Sequence, residues 1–253
     1  MSKVQVKTLD EKSAKKAGIW SDFQLLVKFR LTSLVLFSAV MSYAIAAGFA
    51  FDLGVAATLC IGGFLVTGAA NALNQVLERE YDLIMTRTAN RPVATGRMSV
   101  STAVLIAGMM SLVGLVMLSA IHPLAGFFGA LSLISYAFVY TPLKRSTPLA
   151  VAVGAVPGAL PLLIGVVAAN GSLAHLAFML FALQFLWQFP HFWAVAWLAD
   201  DDYKRAGYQL LPSKNGRKDA SVGLASFLFC IFLVLNALAG YAYGLYSIWA
   251  MIG

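Results

Sequence analysis

Long apolar stretches and short polar ones alternate along the chain. Apolar runs fall near residues 31–51, 53–76, 100–120, 123–140, 149–169, 173–198 and 220–238, and a weaker one covers 240–253. Each of the seven approaches the roughly 20 residues that a helix needs to cross about 30 Å of hydrocarbon. The pattern predicts an all-α, polytopic transmembrane helix bundle with seven clear spans plus a C-terminal stub. It also divides the chain into a polar N-terminal tail, 1–28, and a single transmembrane domain, 29–253.

Composition agrees: 60% of the 253 residues are hydrophobic and 11% are charged, against roughly 25% charged residues in a soluble domain. The tail carries no apolar core and no small-residue cleavage site, which excludes a secretory signal. It holds lysines rather than arginines and includes Asp10, Glu11 and Asp22, which speaks against a mitochondrial transit peptide. A bacterial inner membrane is the expected location. Cys60 and Cys230 both lie in apolar runs and are expected to be small buried hydrophobes, not a metal motif or disulfide framework.

The net charge of +7 would suit nucleic acid, but its distribution argues for a lipid bilayer instead. Lys3, Lys7, Lys12, Lys15, Lys16, Lys28 and Arg30 precede or open the first span. Arg79, Arg87, Arg91 and Arg97 follow the second, Lys144 and Arg145 the fourth, and Lys204, Arg205, Lys214, Arg217 and Lys218 the sixth. The intervening loops, near Asp52, His122 and Asn170, contain no Lys or Arg. Because cytoplasmic loops collect the Lys/Arg excess, the N-terminus and the basic loops are expected in the cytoplasm. Orientation signal alone accounts for the tail lysines. It accounts less well for the two long loops, which also gather acids.

Those acids form two clusters at the same ends of spans two and six: Glu78, Glu80 and Asp82, and Asp200, Asp201 and Asp202. Asn71, Asn74, Glu78 and Asp82 share one helix face, since positions three and four apart are neighbours. Mg²⁺ takes oxygen ligands, commonly one or two carboxylates plus substrate phosphates, and arginine forks match phosphate oxygens. Carboxylates followed closely by Arg87, Arg91 and Arg97 therefore describe a diphosphate site. The bland alternative is a solvated helix end with local Glu–Arg pairs. The amides deeper in the span weaken that alternative, as does the second cluster on the same face.

The segment NQVLEREYDLIMTRTANRP (74–92) resembles the first signature of the UbiA family of intramembrane prenyltransferases, Asn-x₃-Asp-x₃-Asp, with Glu78 in place of the middle Asp. The following RTANR resembles the haem O synthase branch. So do YTPLKRSTP (140–148), the glycine- and proline-broken fifth helix GAVPGALPLLIG (154–165), WQFPHFW (187–193) and DDY (201–203), all in the same order and spacing. Other UbiA branches carry a second Asp-x₃-Asp; here Leu198 and Lys204 stand where it would extend. The family has nine transmembrane helices, so seven spans and a stub make this chain a shortened or incomplete member.

The resemblance implies transfer of a farnesyl group from farnesyl diphosphate to a vinyl group of haem B, with hydration, giving haem O and diphosphate. It implies Mg²⁺ held by Asn74, Glu78 and Asp82 from one side and Asp201 and Asp202 from the other. Arg87, Arg91, Lys144, Arg145 and Lys204 would hold the diphosphate. His191 has two readings, a hydrogen-bonded structural residue or a haem ligand, with Trp187 and Trp193 beside it as pocket walls. The product would pass to a downstream haem A synthase or to oxidase assembly. The competing expectations are a UbiA enzyme with a quinone-ring or chlorin acceptor, and a non-catalytic transporter or haem-binding membrane protein.

Overall fold

The computed structural model describes residues 18–213 and 216–247; the tail lysines up to Lys16, Lys214 and the end of the C-terminal stub lie outside the described residues. All regular structure among the described residues is helical. A short helix α1 (Ile19–Leu26) leads into α2 (Phe29–Ala47), α3 (Leu53–Asp82), α4 (Val100–Ile121) and α5 (Pro123–Ile134). Helix α5 widens into a π-helical segment (Ser135–Tyr140) and closes in the single turn α6 (Thr141–Leu143). Then come α7 (Ala150–Asn170), α8 (His175–Leu198), the short α9 (Asp200–Arg205) and α10 (Ala220–Ala242).

Among the described residues, six helical stretches are long and apolar enough to cross a membrane: Phe29–Ala50, Leu53–Asp82, Val100–Ile121, Pro123–Leu143, Ala150–Asn170 and Ala220–Ala242. The sequence pattern counts seven, and the difference is α8. At 24 residues it is about 36 Å long, but Gln184, Gln188, Pro190 and His191 dilute its apolar run.

Local chemistry sets where the helices begin. Asp52 caps α3 by accepting from the Val55 amide at 2.9 Å. Ser99 caps α4 at 3.0 Å from the Thr102 amide, and His122 caps α5, which has Pro123 in its first turn. Such caps satisfy amides that a helix start leaves without partners. Helix α7 ends at Gly171, whose φ of +64° a glycine adopts without strain.

Helix α7 is the buried axis of the bundle, packed against α2, α5 and α8. The expected break in it is corrected: the helix runs unbroken through Pro157 and Pro161. Pro161 has no N–H for the Pro157 carbonyl, and Ser132 Oγ of α5 donates to that carbonyl instead, at 3.3 Å. The glycines serve close packing. A Cβ on Gly154 would meet the Tyr140 ring at 2.7 Å, one on Gly158 would meet Gln188 Oε1 at 2.0 Å, and one on Gly165 would meet the Ala39 carbonyl at 2.2 Å. Small residues let membrane helices approach this closely.

Two clusters of buried residues result. The larger joins α2, α3, α4 and α7. The smaller, including Met85, Tyr140, Val151, Phe189, Trp193, Tyr208 and Leu211, underlies the charged end of the bundle. Cys60 and Cys230 are both exposed on helix surfaces, which corrects their expected burial. Each lies on the outward face of its helix, where an apolar side chain meets lipid as readily as core.

Candidate active site

The charged end of α3 is a buried polar stripe. Asn71, Asn74, Gln75, Glu78 and Asp82 are all buried. Burial of such groups is costly unless each is paired, and nearly every one is. Asn71 Nδ2 donates to Thr32 Oγ1 at 3.2 Å and to the Val27 carbonyl at 3.4 Å. Gln75 Nε2 donates to the Leu25 carbonyl at 2.7 Å and the Leu26 carbonyl at 3.1 Å. These two amides clamp the corner between α1 and α2. Asn71 and Gln75 are thereby spent on packing, while Asn74, Glu78 and Asp82 reach the site.

Asn74 accepts from Lys28 Nζ at 3.0 Å on its Oδ1 and donates to Thr141 Oγ1 at 3.0 Å. Lys28 also reaches the Tyr136 hydroxyl, at 3.3 Å. The π-helical segment thus supplies Tyr136 and Tyr140 and leads into Thr141; π geometry inside helices is frequent at functional sites. Glu78 Oε1 accepts from Lys144 Nζ at 2.8 Å, and its Oε2 lies 3.9 Å from Arg91. Asp82 is fully buried and receives Arg91 Nη1 at 2.7 and 2.8 Å on its two oxygens.

The connection after α3 folds back over this stripe. Thr88 Oγ1 donates to the Asp82 carbonyl at 3.0 Å. Arg97 pins the far end, with Nε 3.0 Å from Asp22 of α1 and Nη1 2.9 Å from Asn90 Oδ1. The second acidic cluster reaches the same connection. Asp202 accepts from Thr86 Oγ1 at 3.1 Å and from the Arg87 amide at 3.3 Å, and it pairs with Arg205. Arg87 in turn donates to the Tyr203 hydroxyl at 2.9 Å. Partial burial pushes the Asp202 carboxyl up, but these hydrogen bonds outweigh it and hold the group below the ordinary carboxylate range.

The three aspartates point differently. Asp200 is buried and takes Lys204 at 2.8 Å and Lys218 at 3.9 Å. Asp201 is exposed. Asp202 alone faces the connection from α3. Lys204 is therefore turned to Asp200 and away from Glu78 and Asp82. Lys144 lies 4.6 Å from the Tyr140 ring centroid, and Arg145 lies 4.5 Å from that of Tyr81 while donating to its hydroxyl at 2.5 Å.

Among the described residues no three His, Cys, Asp or Glu side chains form a ready-made metal cage. The donor chemistry nevertheless fits Mg²⁺, which uses few carboxylates and completes its shell with phosphate and water. Glu78 and Asp82 stand one helical turn apart as hard oxygen donors, with Lys144 and Arg91 balancing their charge.

The aromatic trio of α8 is split. Trp187 and His191 stack in parallel, centroids 4.6 Å apart, on an exposed face. Trp193 is buried on another face against Phe189 and Phe229.

Lys28 escapes sequence reasoning, which counts it among the orientation lysines. Burial, then the neighbouring Arg91 and Lys144, push its ammonium well below the ordinary lysine range. Its backbone is the one non-glycine position of positive φ among the described residues, at +49°. Tyr136, Tyr140, Thr141 and Tyr208 are also missed, although YTP in the basic loop was a partial signal.

The family model that matches, over residues 35–253, is described as the UbiA prenyltransferase family. The chain is 46% identical over 222 residues to a protoheme IX farnesyltransferase of Christiangramia forsetii, covering 88% of this chain and 73% of that one. It is 43% identical to the protein of the same name from Flavobacterium johnsoniae, covering 87% and 74%. Among solved structures, a UbiA homolog from Archaeoglobus fulgidus bound to DMAPP and Mg²⁺ superposes with a TM-score of 0.77 at 15% identity, over 92% of this chain and 81% of that one. That likeness is one of fold. Together with the matches in sequence, it places this chain in the UbiA family of prenyltransferases.

Proposed function

We infer that this protein is a multi-pass membrane enzyme that transfers a farnesyl group from farnesyl diphosphate to a vinyl group of haem B, with addition of water, giving haem O and diphosphate. Two things support this acceptor: the relatives named protoheme IX farnesyltransferase, and the RTANR and WQFPHFW segments. One observation carries the donor. At the charged end of an apolar bundle, Lys28, Arg91 and Lys144 gather about Glu78 and Asp82, Arg87 and Arg205 meet Asp202, and Arg145 sits on Tyr81. The cations exceed the carboxylates, as recognition of a polyanion requires.

Cleavage of the allylic C–O bond leaves positive charge on the prenyl carbon and negative charge on the departing diphosphate. Arg91, Lys144, Arg87 and Arg145 are the groups that would receive that negative charge. Before substrate arrives Asp82 and Glu78 neutralise Arg91 and Lys144, and the uncharged hydroxyls of Tyr203 and Tyr81 hold Arg87 and Arg145 in place by hydrogen bonds. Glu78 and Asp82, with Asn74 Oδ1 and Asp202 beside Asp201, would hold Mg²⁺, which when bound supplies Lewis-acid stabilisation of the leaving group. The vinyl group then forms the new C–C bond, and water adds to the neighbouring carbon and loses a proton. For the acceptor, the exposed Trp187–His191 stack offers a flat aromatic face and an imidazole suited to a porphyrin. The basic loops support an orientation with the site facing the cytoplasm of a bacterial inner membrane, from which haem O would pass to a haem-modifying enzyme. Because both acidic clusters lie at one end of the bundle, a one-sided active site is favoured over a transport pathway.

The test is an assay in nanodiscs with haem B, farnesyl diphosphate and Mg²⁺, followed by mass analysis of the extracted haem. Wild type is expected to give haem enlarged by one farnesyl group and one water, and Asp82→Ala to give none. Folded wild type that leaves haem B unchanged but prenylates a quinone ring would move the acceptor.

A further inference from the structure

The segment between α9 and α10 brings one more residue to the site. Helix α9 ends in a Schellman motif: the Gly207 amide donates to the Lys204 carbonyl at 3.1 Å and the Tyr208 amide to the Tyr203 carbonyl at 2.9 Å. Gly207 has the positive φ this turn needs, +74°. The ring of Tyr208 packs on that of Tyr203, centroids 5.9 Å apart, supplying the apolar contact that accompanies the motif. One residue later the Gln209 amide donates to the Lys144 carbonyl at 3.0 Å. Tyr208 is therefore fixed on both sides, by α9 and by the loop that carries Lys144.

Its ring lies 5.9 Å from Lys144 Nζ and 6.1 Å from the Tyr81 ring that holds Arg145. The side chain is 5% exposed, and its hydroxyl is buried with no hydrogen-bond partner among the described residues. A phenol ordinarily titrates at about 10, so the hydroxyl is a protonated donor at neutral pH, and it lies near the Glu78 carboxylate without meeting hydrogen-bond geometry. A buried, unpaired donor costs free energy. Other unpaired buried atoms occur, at Gln75, Trp193, Asn236 and Tyr246, but among the described residues neither aromatic ring of these has a cation over it as Tyr208 has.

We propose that Tyr208 is a further substrate-binding residue whose hydroxyl donates to a phosphate oxygen of the prenyl diphosphate. Among this many cations, the ligand that satisfies an O–H donor is an anion's oxygen. The haem carboxylates are the other anionic oxygens in the reaction, but the Tyr208 ring lies 5.9 Å from Lys144, one of the cations read above as receiving the diphosphate. The inference rests on the reading of the donor site given above.

Wild type and Tyr208→Phe in nanodiscs are titrated with inorganic diphosphate plus Mg²⁺, with farnesyl thiodiphosphate as a slowly reacting donor, and with haem B. Phe keeps the ring and removes the unpaired hydroxyl. The ligand-free variant is therefore expected to melt at the same temperature as wild type or slightly above it. Its Kd for both phosphate ligands is expected to rise about tenfold, as loss of one hydrogen bond to a charged group would give. KM for farnesyl diphosphate rises in step while kcat stays within about twofold, and haem B affinity is unchanged. Unchanged phosphate affinity overturns the proposal, as does weakened binding of haem B alone, which would assign the hydroxyl to a haem carboxylate. A lower melting temperature with unchanged phosphate affinity makes Tyr208 a packing residue. Wild-type turnover of farnesyl diphosphate with haem B is scored separately, so failure of the donor reading is seen in wild type and failure of this inference only in the variant.

Discussion

Lys28 Nζ lies 3.0 Å from Asn74 Oδ1, joining the residue just before the first long helix to the last third of the second. The contact is held by a lysine in left-handed backbone, a conformation that costs a non-glycine residue about 1–2 kcal/mol. Observed strain of this kind tends to persist where function over-determines the structure. Replacing Lys28 with Asn, which tolerates the same backbone, removes the ammonium and leaves the turn. The expected outcome is a melting temperature close to wild type and a fall in prenyl-transfer rate of about tenfold or more, by the scale of one lost charged contact. An unaltered rate would make Lys28 purely structural.

Arg91 Nη1 is shared between the two oxygens of the fully buried Asp82 carboxylate. Removing one partner of such a pair strands the other charge, at a cost of about 3–5 kcal/mol. Arg91→Ala is expected to lower the melting temperature strongly, Asp82→Asn less, and the double variant less than the two singles combined. Thermal unfolding of all three in one detergent measures this; additive losses would show that the two side chains are not coupled.

Asp202 ties α9 to the connection after α3 as an anion, and its carboxyl is held below the ordinary range. A depressed folded-state pKa gives stabilisation that is complete above the unfolded value, near 3.9 for Asp, and is lost as pH falls through the lower folded value. Protection of the Arg87 amide from hydrogen exchange, corrected for its intrinsic pH dependence, should stay flat from pH 7 to about 4 by that reasoning and drop only below it. Asp202→Asn should show lower protection with no such step.

Glycines in the long helices predict a sharp contrast. A Cβ at Gly165 would meet the Ala39 carbonyl at 2.2 Å, and backbone cannot move aside cheaply; at Gly223 nothing lies within 4 Å. Gly165→Ala should destabilise by at least the roughly 1–3 kcal/mol typical of overpacking. Gly223→Ala should be neutral or slightly stabilising, since alanine is the better helix former by about 1 kcal/mol. Melting curves of the two variants decide it.

His191→Ala tests the acceptor. If the exposed Trp187–His191 stack engages haem B, the variant loses the absorbance shift seen on titrating haem into wild type while still binding farnesyl thiodiphosphate. An unchanged haem spectrum and turnover would leave the pair as surface packing.

The spans were legible because a bilayer imposes one length on every crossing helix, and six of the seven that the pattern predicts are found among the described residues. Only α8 blurred it, where polar residues sit inside the run. The first acidic cluster was legible because helical spacing alone puts Asn74, Glu78 and Asp82 on one face. What escaped were residues whose role depends on tertiary closure. Lys28 reads as one more tail lysine until α1 and α2 fold over α3. Tyr208 reads as a loop residue until a glycine turn swings it back. The three adjacent aspartates could not be told apart in a string, because their separation is one of direction about a short helix. The glycines and prolines of α7 read as a break, since the same residues serve close packing when a neighbouring hydroxyl replaces a lost backbone partner.

The connection between α3 and α4 touches Asp202 through Thr86 and Arg87, Asp82 through Arg91 and Asp22 through Arg97. Surface connections ordinarily absorb insertions with little consequence. This one works as a ruler, because its three attachment points are spaced to match three separate helices. One residue added between Arg87 and Arg91 would put the marks out of phase: the buried carboxylate of α3 and the partly buried one of α9 could no longer be gripped together. The number of residues in this loop is therefore under tighter constraint than the identity of most residues in the helices it joins.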